Sequence, residues 1–172
     1  MREAAFAYLA RFAGTEAGLR RVLTRRIDRW VSGCEDREAA GDQIATARAA
    51  VGRIIASLIA AGTVDDAAFA GRRAESFLKA GKSRRAATAG LMAKGIAPAL
   101  ARDAVPEDVE AELTAALILA RRRRIGPFGT DGGDAVRETG ILARAGFPRD
   151  IVARALAMDP EEAEARVIEA RR

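Results

Sequence analysis

Apolar positions along this chain recur at helical spacing, and polar, glycine or proline positions interrupt the recurrence at short intervals. Phe6, Leu9 and Phe12 fall on one face of a first helix expected over 3–13. Thr15 has the chemistry of an N-cap for a second helix, with Leu19, Val22, Leu23 and Ile27 as its apolar stripe. The polar, acidic stretch 32–41 reads as a loop or break. A third helix is expected over 43–61, with Ile44, Val51, Ile54, Ile55, Leu58 and Ile59 facing inward. Gly62 then suits the left-handed residue that ends a helix.

Beyond residue 64 the punctuation becomes denser. Asp65 caps a helix over 66–80 ended by Gly81, and Ser83 caps another over 84–94 ended by Gly95. Pro98 opens a short helix that stops before Pro106. A seventh helix spans 107–124, followed by a glycine-rich loop over 126–133. An eighth covers 134–145 and ends at Gly146, a ninth runs from Pro148 to Met158, and Asp159-Pro160 starts a last short one.

Composition agrees with helices throughout. Hydrophobic residues make up 49% of the 172, but alanine supplies about half of them, and aromatics are only 5% of the chain. Few large side chains are left for one thick core, so thin helical layers with alanine at close contacts are expected. Aligning Gly95 with Gly146 matches Leu91 to Leu142, Ile96 to Phe147 and Leu100 to Ile151, a weak internal repeat. The fold class expected is all-α, with tandem three-helix, helix-turn-helix-like repeats in an elongated, curved arrangement. The expected units are 1–64 with an insert near 32–41, 65–105, and 106–172 with a short C-terminal helix.

Charge adds a direction. The net charge is +5, and residues 1–64, 65–105 and 106–172 carry +3, +4 and −2. The shortest segment is the most basic, which fits an anionic partner such as nucleic acid. Cys34 is alone, so no intrachain disulfide forms, and the chain has no histidine. No signal-peptide core or apolar run of ~18 residues is seen, so a cytoplasmic location without membrane contact is expected.

The middle segment carries the candidate chemistry. Gly81-Lys82-Ser83 invites a phosphate-loop reading, but Ser76 stands where the motif needs a glycine, and a helix precedes it instead of a strand. Asp65-Asp66 reads as capping rather than a metal or acid–base pair. Arg84 and Arg85 open a helix against its dipole, at about 0.3–1 kcal/mol per charge. They are either solvated charges or, with Lys82, an anion site built on free backbone N–H groups. Arg72, Glu75 and Lys79 share a face, with Lys79 partly neutralised by Glu75, and Lys94 is a further candidate cation. Arg121, Arg122, Arg123 and Arg124 end a helix that begins with Glu107, Asp108, Glu110 and Glu112, so they read as dipole-complementing charges or as a binding contribution. Trp30 and Tyr8 are expected to pack rather than stack on bases, and Phe128 is a loop anchor or a partner contact. No metal-ligand set, cofactor motif or catalytic constellation emerges, so no cofactor and no enzyme activity are expected.

Taken in order, these motifs resemble the RecX family. Tyr8-Leu9-Ala10-Arg11 through Leu19-Arg20-Arg21 is similar to the family's opening helix pair, and 62–70, with Val64, Asp65, Asp66 and Phe69, resembles its junction motif. Ser83-Arg84-Arg85 to Lys94-Gly95-Ile96 is similar to the middle unit. Ala120 to Phe128 and Leu142 to Leu156 resemble the third. The stretches 32–41 and 126–133 depart from the pattern. The resemblance implies a tandem of three-helix units that binds along the groove of a RecA–DNA filament and restrains RecA's ATPase, recombinase and coprotease activities; a monomer is the simpler expectation for its oligomeric state. It identifies no catalytic residue. The rival is a general DNA-binding or transcription-regulating protein that contacts phosphates of single- or double-stranded DNA. With no asparagine and only Gln43 among the glutamines, the chain is poorly equipped for base readout.

Overall fold

The computed structural model describes residues 1–12, 14–36, 38–129 and 133–170. It is all-α, as the periodicity predicts, with ten helices and no strand among the described residues. In chain order these are α1 (Arg2–Leu9), α2 (Glu16–Ser32), α3 (Gly41–Ala60), α4 (Asp66–Lys79) and α5 (Arg84–Ala93). Then follow α6 (Pro98–Asp103), α7 (Val109–Arg123), α8 (Ala135–Arg144), α9 (Arg149–Ala157) and α10 (Pro160–Glu169). A single 3-10 turn at Gly126–Phe128 follows α7, and residues 130–132 of the expected loop lie outside the described residues.

Side-chain caps set most of the starts. Thr15 accepts the Gly18 N–H, Asp65 the Ala68 N–H, and Asp108, Asp134 and Asp159 each accept two N–H groups of the following turn. Each satisfies donors that a helix start otherwise leaves unpaired, for about 1 kcal/mol. Gly62, Gly81, Gly95 and Gly146 all have positive φ at helix ends.

The helices divide into two compact units, residues 1–69 with 93–96, and residues 70–92 with 97–172. In the first, Leu19, Leu23 and Ile27 of α2 pack with Val51, Ile55 and Leu58 of α3, and Ala5 and Val64 complete the core. Each such aliphatic side chain contributes about 1.5–3 kcal/mol on burial. α3 has the length and mean hydropathy (1.2) of a membrane-crossing segment. It nevertheless carries Asp42, Arg48 and Arg53, and its apolar seam is spent on this core. In the second unit α7 is the central helix, with Leu113 and Ala115 through Ala120 all buried. Leu142 of α8, Ile151 and Val152 of α9, and Ala163 and Val167 of α10 surround it. Alanine on several sides of α7 lets its neighbours approach closely, which explains the scarcity of large apolar residues.

Three apolar expectations fail. α1 stops at Leu9, short of the expected 3–13 (residue 13 itself lies outside the described residues), and Phe6 and Phe12 are 51% and 59% exposed. The inward residue is Ala5, because the chain must turn toward the Thr15 cap. Gly14 makes that turn possible, since a methyl there would lie 2.7 Å from the Tyr8 ring. Ile59 lies on the exposed side of the last turn of α3, where Leu58 takes the core position. Trp30 does not pack inside: the α2 core stripe runs Leu19, Leu23, Ile27 and Val31, and Trp30, to one side of it, is 44% exposed.

Candidate functional site

The start of α5 is assembled from elements far apart in sequence. The Ser83 hydroxyl, fully buried, accepts the Ala86 N–H at 3.2 Å and donates to the carbonyl of Ala145 at 2.7 Å. One hydroxyl therefore satisfies an unpaired donor at one helix start and an unpaired acceptor at the end of α8. Gly146 follows with φ 95°, and a methyl there would lie 2.8 Å from the Ser83 Oγ and 3.1 Å from the Arg85 Nε.

Arg84 is occupied within the fold. Its backbone N–H donates to both carboxylate oxygens of Glu112, at 2.8 and 3.1 Å. Its side chain donates to the Val105 carbonyl at 3.3 Å and pairs with Glu107 at 2.5 Å. Glu112 is buried, and burial raises its pKa above the usual carboxylate value, against the lowering by the Arg84 N–H and charge. Glu110, two residues earlier and on the other side of α7, accepts from Arg154 of α9 and Arg166 of α10, which hold its pKa below the ordinary value.

Arg85 and Lys82 differ from Arg84. Both are exposed, and neither forms an ion pair among the described residues. The Lys82 Nζ lies 4.0 Å from the Phe77 ring centroid, with the Arg73 guanidinium at 4.5 Å from the same ring. Arg84 and Arg85 also line a cleft of about 920 Å³ together with Met92, Arg102, Val109 and Phe147. Met92 and Val109 are about half exposed there, so the cleft offers apolar surface beside the cations of Arg85 and Arg102.

The remaining candidate cations separate. Lys79 is paired with Glu75 at 2.8 Å, and Lys79 holds the Glu75 pKa low. Arg72 is exposed on the same helix. Arg121 pairs with Glu164 at 2.8 Å, and Arg122 donates to the Ala80 carbonyl at 3.3 Å. Arg123 and Arg124 are exposed, and Arg124 closes α7 in the left-handed conformation at φ 55°. Lys94 belongs to the other compact unit; it is exposed, and its carbonyl is an acceptor for Thr15.

That acceptor reveals a second junction, in the first unit. The Thr15 hydroxyl accepts the Gly18 N–H at 3.0 Å and donates to the Lys94 carbonyl at 2.8 Å. Asp66 accepts the Glu16 N–H at 2.8 Å, and a methyl on Gly95 would overlap that of Ala17. Sequence reasoning identified Thr15 and Ser83 as caps but missed their donor role and the acids that bind the next N–H. The available signal was a hydroxyl cap paired with a distant helix-ending glycine, and it occurs twice.

No family model matches the chain, and no solved structure matches it. It is 33% identical over 166 residues to the regulatory protein RecX of Myxococcus xanthus (strain DK1622), across 93% of this chain and 86% of that protein. It is also 38% identical over 104 residues to the regulatory protein RecX of Agrobacterium fabrum (strain C58 / ATCC 33970), across 59% of this chain and 55% of that protein.

Proposed function

This chain belongs to the RecX family, and from that premise we propose that it is a non-catalytic regulator that binds the RecA–DNA filament and lowers RecA's ATPase, recombinase and coprotease activities. The observation that supports the site is Arg85, exposed and lining the α5 cleft, with exposed Lys82 just before the Ser83 cap. Their charges are not answered by carboxylates among the described residues, whereas the charge of Arg84 is. Acidic groups of RecA, or DNA phosphates, are the partners that such cations fit. Apolar surface at Met92 and Val109 adds area suited to a protein partner. In this reading the tandem of three-helix units spans neighbouring RecA subunits and opposes the filament changes that accompany ATP turnover.

The test is RecA's ATPase rate on single-stranded DNA as the protein is titrated in. Inhibition well below one molecule per RecA supports filament regulation, and Lys82→Glu with Arg85→Glu should abolish it while helicity is kept. Arg84→Glu is a poor probe, because it would place a third acid against Glu107 and Glu112 and disturb the fold. Full inhibition by the Lys82→Glu, Arg85→Glu protein would reject this site. Salt-sensitive DNA binding with no effect on RecA would favour a general DNA-binding role.

A further inference from the structure

The α5 cleft has a polarity that its cations alone do not explain. Arg85, Thr88, Ala89 and Met92 stand at i, i+3, i+4 and i+7 of α5, so one face of that helix forms a wall of the cleft. From Arg85 to Met92 this face runs about 10 Å along the axis and changes from a cation to a thioether. The rest of the lining includes Val109 at the start of α7, and Phe147, Pro148 and Ile151 around the start of α9. Met92 is 46% and Val109 53% exposed, so two large apolar side chains stand open to water in one cleft. An unbranched thioether also adapts its shape to an incoming side chain.

Internal pairing leaves the charges of the rim unequal. Glu107 is held by Arg84, and Asp108 accepts the N–H groups of Glu110 and Ala111. Arg85 and Arg102 are exposed without a carboxylate partner among the described residues, against one such acid, Asp150. Unanswered cations beside open apolar surface fit a ligand that carries both carboxylates and hydrocarbon. A nucleic-acid strand fits poorly. The one aromatic side chain lining the cleft, Phe147, is 5% exposed and offers no face to a base. Glu107, Asp108 and Asp150 also repel a chain that carries a phosphate at every nucleotide. The volume of about 920 Å³ is near the upper end for small-ligand sites, about 300–1,000 Å³, but this cleft is open where such sites enclose most of their ligand. A segment of a larger partner suits it better.

We infer that the α5 cleft receives a short protein segment in which large apolar side chains adjoin acidic ones. Its hydrocarbon lies on Met92 and Val109, and its carboxylates meet Arg85 and Arg102. This inference deepens the filament reading, on which it rests for the partner's identity, and it assigns the cleft to protein rather than to DNA.

Met92 reports on its own cleft. The chain has three methionines, Met1, Met92 and Met158, so a protein isotope-labelled at its methionine methyl groups gives three NMR signals, and Met92→Ala identifies one of them. The full-length protein is titrated with an acetylated, amidated peptide of two leucines followed by three glutamates. A saturable shift of the Met92 methyl is expected, with that of Met1, in the other compact unit, unchanged. Affinity is followed in parallel by anisotropy of the same peptide carrying a dye. Met92→Ala should weaken binding about 4- to 15-fold, through loss of apolar contact equal to one or two methylene groups. Arg85→Gln should weaken it about 1.5- to 5-fold, the range of an exposed ion pair. Circular dichroism confirms that both variants stay helical. A silent Met92 methyl would overturn the assignment, as would equal binding of peptides with glutamine for glutamate or alanine for leucine. So would a deoxythymidine oligonucleotide that moves Met92 as strongly, or variants that bind the peptide like the parent. Peptide binding at Met92 without inhibition of RecA would reject only the filament reading.

Discussion

The two hydroxyl junctions perform the same backbone chemistry with opposite charges. At Thr15 the residue after the cap is Glu16, which suits the positive end of the α2 dipole, and its N–H is taken by Asp66. At Ser83 the corresponding residue is Arg84, which opposes the dipole of α5, and its N–H is taken by buried Glu112 while Glu107 holds its guanidinium. Glycine next to the acceptor carbonyl meets a small side chain, Ala17, in the first case and a long one, Arg85, in the second. The comparison explains the misplaced arginine. Its cost is offset by two carboxylates of the same chain, buried Glu112 and exposed Glu107, so Arg84 is no evidence for an anionic partner. Arg85, one position on, has no such answer among the described residues and is left to face outward.

The strongest way to break this symmetry is at the glycines. Gly95→Ala adds backbone strain to a methyl–methyl overlap that cannot relax, and should cost about 3–5 kcal/mol in chemical denaturation. Gly146→Ala meets the mobile end of Arg85 as well as the Ser83 hydroxyl and should cost less, about 2–3 kcal/mol. Equal costs would mean that the neighbouring side chain has no influence.

Next come the hydroxyls. Ser83→Ala loses a cap and orphans the Ala145 carbonyl, for about 2–3 kcal/mol, and Thr15→Val should do the same at Lys94. Thr15→Ser keeps both bonds and should stay within about 1 kcal/mol of the parent. A Ser83→Ala protein that melts like the parent would show that the bridge does not hold α8 to α5.

The acids distinguish the junctions more finely. Glu112→Ala leaves the Arg84 N–H unpaired in a buried site and should cost about 1–3 kcal/mol. Glu112→Gln keeps an acceptor without the buried charge and should cost much less. Because the folded pKa of Glu112 is raised, the native state holds its proton more tightly than the unfolded chain does. Its contribution is therefore fullest below the unfolded pKa and declines as pH rises through the folded one. Melting temperatures of Glu112→Gln and parent should thus converge or cross in favour of the variant toward neutral pH. A parent that gains stability over the variant as pH rises would contradict the raised pKa. The smallest stability effect belongs to Lys82→Glu with Arg85→Glu, within about 0.5 kcal/mol per site, although RecA inhibition should be lost.

Much of the helical framework was legible in the residues. Thr15, Asp65, Ser83, Pro98 and Asp159 mark starts, and Gly62, Gly81, Gly95 and Gly146 mark ends, because capping and positive φ act within about four residues. Phe6, Phe12 and Ile59 were misjudged because helical spacing places them on an apolar face but does not say which side of that face a neighbouring element covers.

The sequence by itself determined an all-α chain, most of its helix boundaries beyond α1 and its basic balance, since these depend on local backbone chemistry and composition. Only the tertiary structure decided which cations are neutralised within the fold. Glu107 and Glu112 lie 23 and 28 positions from Arg84, and no local pattern couples them until α5 docks beside α7. Packing of α5 against the end of α8 brought the Ser83 hydroxyl to Ala145, 62 residues away, and left Arg85 beside an open cleft. Ion pairing and burial depend on distance in space, which a chain acquires only when its helices pack.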